Sequence, residues 1–336
     1  MLSLQVNPCR LWRDTILSDS GKFWRWAQLR VDPSLYPSQV DDLLSSSLLY
    51  LVPEIVISPR TSPDVVRPLL EAISEGETPK LKKLNIRCLA LNRIDSTLVS
   101  RAVVQVQECV ITGGRFHLWD ILDRIATAQE SKLRELAFHG DVGMFGMDPR
   151  NLSEALVKLK SIGYDLGSLD LSSGQINSLF SQIRDSQDLR LKELRPYWNV
   201  SMVPPEVFAR AVSRLERVTL GSWTGVTAGQ LESLFQMLIS QQEEAGQSTL
   251  RELMLSSTDL SSVSPEVLVG AIQSLETVDF WSGKMTAEQI TAILTMLKEN
   301  RQERLKKLEI IGPEVGGGVS STLLQEARLN NALIWL

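Results

Sequence analysis

The sequence predicts an α/β solenoid: a curved parallel sheet of about 11 strands on the concave face, backed by helices on the convex face. Three observations lead there. A short run of the form apolar-x-x-apolar-x-apolar recurs at intervals close to 55 residues. A second run, apolar-x-apolar, falls 27 to 29 residues after it. Each run leads through a polar loop to apolar residues spaced i, i+3, i+4, i+7, the stripe of an amphipathic helix. One such strand–loop–helix unit cannot bury its own apolar face, whereas stacked copies share a continuous core. Strands take less width than helices, so the stack bends with the strands inside.

The first run appears at Trp26, Leu29 and Val31, at Leu81, Leu84 and Ile86, and at Leu133, Leu136 and Phe138. It returns at Leu250, Leu253 and Leu255 and at Leu305, Leu308 and Ile310. A sixth copy, Leu191 and Leu194, carries Pro196 at its third anchor. The second run is Ile55/Ile57, Cys109/Ile111, Ile162/Tyr164, Val218/Leu220 and Val278/Phe280. Alternation within each run reads as strand, because side chains change face with every residue. The underlying period is therefore about 28 residues, in two alternating kinds.

Helices follow in order. Leu44, Leu48, Leu49 and Val52 form the first. After later strands of the first kind come Leu98, Val99, Ala102, Val103 and Val106, then Val207, Phe208, Ala211, Val212 and Leu215, then Val267, Leu268, Ala271, Ile272 and Leu275. After the second kind come Val66, Leu69, Leu70 and Ile73, then Leu118, Ile121, Leu122 and Ile125, then Ile176, Leu179, Phe180 and Ile183. Leu231, Leu234, Phe235 and Leu238, and then Ile290, Ile293, Leu294 and Leu297, close that series. Ser172/Gln175, Thr227/Gln230 and Thr286/Gln289 are capping boxes at one register. Ser264-Pro265-Glu266 combines a cap, a first-turn proline and a first-turn acid. Gly140–Met147 and Gln241–Gln247 read as surface loops, and Gly312–Gly318 as a flexible connection. Residues 305–336 close the chain with a strand, that loop, a degenerate helix from about Thr322, and Ile334-Trp335-Leu336.

On these residues the chain resembles a leucine-rich repeat protein of the long-repeat, ribonuclease-inhibitor-like class, over roughly residues 26–336. It lacks the regular Asn or Cys that the family carries after the strand. The resemblance implies a parallel inner sheet that recognises other proteins.

Residues 1–25 do not fit the repeat. Val6, Cys9, Trp12, Asp19, Phe23 and Trp24 resemble the second half of an F-box. The resemblance implies that Val6, Cys9, Leu11, Trp12, Ile16 and Trp24 contact a Skp-family adaptor, with the first half of the motif supplied in a longer form. It further implies a substrate receptor of a Skp-cullin-F-box type ubiquitin ligase. The other reading of residues 1–25 is an N-terminal cap in which Leu11, Trp12, Ile16, Phe23 and Trp24 hide the open end of the first repeat. The chain is then an interaction scaffold unrelated to ubiquitination. Either reading divides the chain into residues 1–25 and a repeat domain over 26–336.

Composition narrows the partners. The net charge is −5, from 35 basic and 40 acidic residues that are interspersed, so no basic stripe argues for nucleic acid. No apolar run is long enough to span a bilayer, and the start lacks the build of a signal peptide. Three scattered cysteines, Cys9, Cys88 and Cys109, form no disulfide framework, which points to the cytoplasm or nucleus. Cys109 sits at an inward anchor and reads as a small buried hydrophobe. His117 and His139 are the only histidines, without metal-ligand neighbours. No catalytic pattern and no cofactor motif is found, so the chain is expected to do no chemistry itself.

Binding is expected on the outward strand residues. Register places Asn85, Arg87, Thr112, Ala137, His139, Arg195, Tyr197, Thr219, Gly221, Met254, Ser256, Asp279, Trp281, Glu309 and Ile311 there. Tyr197, Trp198, Trp223 and Trp281 fall at or just past strand ends in three consecutive repeats. Aromatics beside arginine are the usual material of binding hot spots. The residues expected to touch a protein target are Arg87, His139, Arg195, Tyr197, Trp198, Trp223, Met254, Asp279 and Trp281.

Overall fold

The computed structural model describes residues 3–4, 28–45, 49, 51–87, 89–112, 117–128, 131–139, 147–162, 171–246, 248–299, 304–311, 314–316 and 333–335. The chain divides into two compact units, Met1–Leu159 and Lys160–Leu336. Every pairing between described strands is parallel.

The first unit holds a six-stranded sheet in chain order: β1 (Ser3–Leu4), β2 (Gln28–Val31), β3 (Glu54–Ile57), β4 (Lys83–Ile86), β5 (Glu108–Thr112) and β6 (Glu135–His139). The second holds a seven-stranded sheet: β7 (Ser161–Ile162), β8 (Glu193–Leu194), β9 (Arg217–Leu220), β10 (Glu252–Ser256), β11 (Thr277–Trp281), β13 (Lys307–Ile311) and β15 (Leu333–Trp335). β12 (Lys284–Thr286) and β14 (Glu314–Gly316) form a separate pair beyond the strand ends.

The eleven strands read from the sequence are all present, and their anchors stand level. Leu29, Ile55, Leu84, Cys109 and Leu136 are successive partners in the first sheet. Leu194, Val218, Leu253, Val278 and Leu308 are successive partners in the second. All ten are buried. Cys109 is one of them, and burial pushes its thiol far above the usual range. β8 stops after two residues because Pro196 offers no amide to the ladder.

Among the described residues, ten α-helices lie between the strands, five in each unit. In the first unit these are α1 (Pro37–Ser45), α2 (Pro63–Ser74), α3 (Ser96–Val103), α4 (His117–Thr127) and α5 (Pro149–Lys158). In the second they are α6 (Ser173–Asp185), α7 (Pro205–Val212), α8 (Ala228–Ala245), α9 (Pro265–Gln273) and α10 (Ala287–Lys298). Each packs on the next within its unit. The stripes after second-kind strands are buried throughout. After first-kind strands, Val207 and Val267 lie only half-buried at the first turn.

Two expectations need correction, and two elements were not read from the sequence. The first helix starts at Pro37 and ends at Ser45; it buries Val40 and Leu43 and leaves Leu44 half-buried, Leu49 and Val52 are buried past its end, and Leu48 lies outside the described residues. Proline suits a first turn, whereas the Ser45-Ser46-Ser47 run disfavours a helix interior. A helix not read from the sequence, α5, is capped by Asp148, whose carboxylate accepts from Arg150 N and Asn151 N. Gly312–Gly318 is not wholly a connection, since Glu314–Gly316 pairs with β12. Residues 333–335 form another strand, β15, in register with β13. The helix expected from Thr322 lies outside the described residues.

The capping boxes do more than close helices. In each of the three, the Ser or Thr oxygen accepts from the glutamine amide while the glutamine Oε1 accepts from the cap amide. The glutamines are buried. Gln230 Nε2 then donates to Val200 O at 2.8 Å and Val203 O at 2.7 Å, in the loop of the preceding repeat. Gln289 Nε2 repeats this on Leu260 O and Val263 O, both at 2.6 Å. One side chain thus meets its own helix end and two loop carbonyls of the neighbouring repeat, the first of which also accepts within its loop, from Val203 N or Val263 N. Helix C-termini are tied across repeats as well. Lys158 Nζ donates to Ile125 O, Ala126 O and Ala128 O, and Arg214 donates to Ile183 O, Arg184 O and Ser186 O.

Gln289→Ala removes half of the capping box and leaves the Val263 carbonyl without its amide donor, while Leu260 O keeps its bond from Val263 N, a loss of roughly 1–3 kcal/mol. Gln289→Glu keeps the cap acceptor but loses the amide donor and sets a charge against Leu260 O and Val263 O. Urea denaturation is expected to find both variants destabilised. A Gln289→Glu variant as stable as wild type would reduce Gln289 to an ordinary cap.

Candidate functional site

Because each anchor points to the helices, the alternate residues form the opposite, open face. In the second unit they stand in three rows. The row at the strand starts is Glu193, Arg217, Glu252, Thr277 and Lys307. The middle row is Thr219, Met254, Asp279 and Glu309, extended past β8 by Arg195. The row at the strand ends carries Ser256, Trp281 and Ile311.

The first row is an ion-pair chain. Arg217 donates to Glu252 through Nε at 2.5 Å and Nη2 at 2.9 Å, and through Nη1 to Glu193 at 3.3 Å. Arg195 Nη2 pairs with Glu193 at 2.5 Å. The hydrogen bonds from Arg217 hold the Glu252 carboxyl below the usual carboxylate range.

The aromatics are held by specific contacts. Tyr197 and Trp223 stack with centroids 5.1 Å apart and planes 5° from parallel. Trp223 Nε1 donates to Pro196 O at 3.1 Å. The Trp223 ring lies across Gly221, where an added Cβ would stand 2.4 Å from Cζ2. Glycine is required there for space. The ring is 44% exposed, and Trp281 is 58% exposed. β10 and β11 are each followed by a left-handed residue, Ser257 (φ 52°) and Ser282 (φ 52°). Their amides continue the ladder, donating to Trp281 O and Ile311 O.

Asp279 differs from the other charges. One carboxylate oxygen, Oδ1, is shut off from solvent without a hydrogen-bond partner, and no ion pair among the described residues reaches the side chain. Burial raises its carboxyl above the usual range, neighbouring Glu309 adds to the rise, and Lys307 opposes it.

Among the expected site residues, Arg195, Tyr197, Trp223, Met254, Asp279 and Trp281 come together on this one sheet. Trp198 does not join them. It is only 4% exposed, because Leu194, Pro196, Trp198 and Val200 continue the inward alternation past the end of β8. Arg87 and His139 belong to the first unit. Arg87 is exposed and its Nε donates to Asn85 Oδ1 at 3.3 Å, while Asn85 itself, expected outward, is only 8% exposed. His139 ends β6 opposite Thr112. Val6, Cys9, Leu11, Trp12, Ile16 and Trp24 lie outside the described residues. Met202 and Tyr36, which sequence reasoning passed over, are also exposed. Neither falls on a strand, so alternation gave no signal for them. Among the described residues, no three His, Cys, Asp or Glu side chains gather as a metal site. No described helix is long and apolar enough to cross a membrane.

No protein-family model matches this chain, and no curated protein does. Solved structures similar to it include the leucine-rich repeat-containing protein LegL7 from Legionella pneumophila, at 14% identity and a TM-score of 0.41, covering 90% of this chain and 96% of that one. The complex of Rad7 and Elc1 in yeast is similar at 13% identity and a TM-score of 0.38, covering 89% and 88%.

Asp279 yields a test of the face. Its raised folded value means that the ionised carboxyl destabilises the fold at neutral pH, and that this cost fades as pH falls through the raised value. Asp279→Asn is expected to melt at or above wild type at pH 7, with the gap shrinking toward about pH 4. Paired thermal melts check this. A gap that grows on acidification contradicts the placement of Asp279.

Proposed function

We propose that this chain is a protein-recognition module that does no chemistry of its own, and that the open face of β8–β11 and β13 holds its partner. The observation that carries this reading is Trp223 and Trp281, two large rings left open to solvent, one on the turn Ser222–Thr224 just past β9 and one at the end of β11. Exposed tryptophans with flanking charges supply the anchors of hot spots. Backbones fixed by a parallel ladder lose little further freedom on binding.

The more specific role is that of a substrate receptor of a Skp-cullin-F-box type ubiquitin ligase, with Val6–Trp24 gripping the adaptor. It rests on the resemblance of that segment to the second half of an F-box. One observation favours the other reading, an interaction scaffold unrelated to ubiquitination. Ser3–Leu4 pairs in parallel with Gln28–Leu29, so the ends of the intervening segment stand on adjacent strands, at a spacing of one repeat. A segment so anchored suits a cap that closes the sheet.

The experiment is affinity purification of the full chain from its own source cells, beside Trp223→Ala/Trp281→Ala and Trp12→Ala variants. Partners recovered by wild type and lost from the double variant support the binding face, and equal recovery rejects it. A Skp-family adaptor recovered by wild type and lost from Trp12→Ala supports the receptor. Partner recovery without any adaptor supports the scaffold.

A further inference from the structure

The charges on the open face of the second unit are unevenly satisfied. Glu193, Arg195, Arg217 and Glu252 compensate one another in a linear chain of ion pairs, Arg195 to Glu193 to Arg217 to Glu252. Asp279 is not compensated. Its register partner on one side is Met254, a thioether, and on the other Glu309, a second carboxylate. Adjacent strands lie about 4.8 Å apart, so the two acids stand side by side. Among the described residues, the cation beside them is Lys307, which is 3.0 Å from Glu309 and forms no ion pair with Asp279. With Lys307 paired to Glu309, the group keeps one net negative charge, at Asp279. A carboxylate deprived of part of its hydration binds an incoming cation more tightly than an open one does.

Trp281 supplies the second half of the site. It follows Asp279 by two residues on the same strand, and so on the same face, about 7 Å along it. An indole left open to solvent is the best aromatic surface for an organic cation. Met254 and Thr219 offer a less polar floor on the other side, their Sδ and Oγ1 3.6 Å apart. The methylene stem of a long basic side chain lies well on such a surface. A metal ion fits poorly: calcium takes six to eight oxygens, and indole and thioether provide none. A nucleic acid backbone would meet the two carboxylates with like charge.

We propose that the partner bound on this face is a protein segment that inserts an arginine or lysine side chain at Asp279 and Glu309, beside Trp281. The proposal rests on the protein-binding reading above and names the chemistry that the partner must bring. Asp279 and Glu309 accept from the cation, Trp281 covers it, and the Tyr197–Trp223 stack holds neighbouring apolar residues of the same segment.

The test is display of random twelve-residue peptides, selected on the intact full-length chain. Selected sequences are expected to carry Arg or Lys at a fixed position beside an apolar residue. Their affinity is expected to fall at least about tenfold on Asp279→Asn or Trp281→Ala, the loss of a charge-assisted contact or of a cation–π contact. Glu309→Gln serves as the second acid variant should Asp279→Asn fail to fold. Peptides that bind through Trp223 and Trp281 without a fixed cation, or whose affinity both acid variants leave unchanged, overturn the proposal and leave the protein-binding reading standing. Peptides indifferent to Trp281→Ala and Trp223→Ala alike overturn both.

Discussion

Gln230 and Gln289 show what holds this architecture in register. A parallel ladder fixes neighbouring strands, but the loops after the strands carry carbonyls that no ladder reaches. Each buried glutamine turns its oxygen to its own helix start and its amide to two carbonyls of the preceding repeat. Leaving such groups unmet inside the protein would cost more than the bonds themselves contribute. The repeat therefore stacks in one register, set at the strand by apolar anchors and at the loop by an amide.

Function depends on that register through parity. A slip of one residue would turn every open-face side chain inward. With Leu253 level with Val278 and Leu308, the residues between them, Met254, Asp279 and Glu309, also stand level and face away from the helices. The same parity buries Trp198 while leaving Tyr197 to stack on Trp223. Binding chemistry is thus concentrated where the ladder ends: rings at the strand ends, charges in the rows below.

Much of this was legible in the sequence, for a physical reason. Strand anchors and helix stripes are periodic, and burial follows the period, so the sequence alone places Cys109 inside, where it is found. The Ser/Thr-x-x-Gln boxes were legible as caps. Their second role was not, because nothing in the local sequence marks which distant carbonyls a glutamine amide will meet. Trp198 was misjudged because it was grouped with the aromatics just past the strand ends, whereas the parity that turns Arg195 and Tyr197 outward carries on past Pro196 and turns Trp198 inward. β12 and β14 escaped notice because Lys284–Thr286 and Glu314–Gly316 have no apolar alternation. They pair because loops stacked at a fixed spacing bring unpaired backbone groups together. The acidic pair at Asp279 and Glu309 is invisible in a list of residues thirty apart and plain once the strands are aligned.

The central claim is that parity of the parallel ladder places Asp279 and Trp281 on the open face. Interstrand nuclear Overhauser contacts, measured on the deuterated, isotope-labelled chain, test it most directly. The account predicts parallel-type backbone contacts linking Met254 to Asp279 and Asp279 to Glu309. Contacts offset by one residue, or an antiparallel pattern between β10 and β11, would put those side chains in the interior and contradict it.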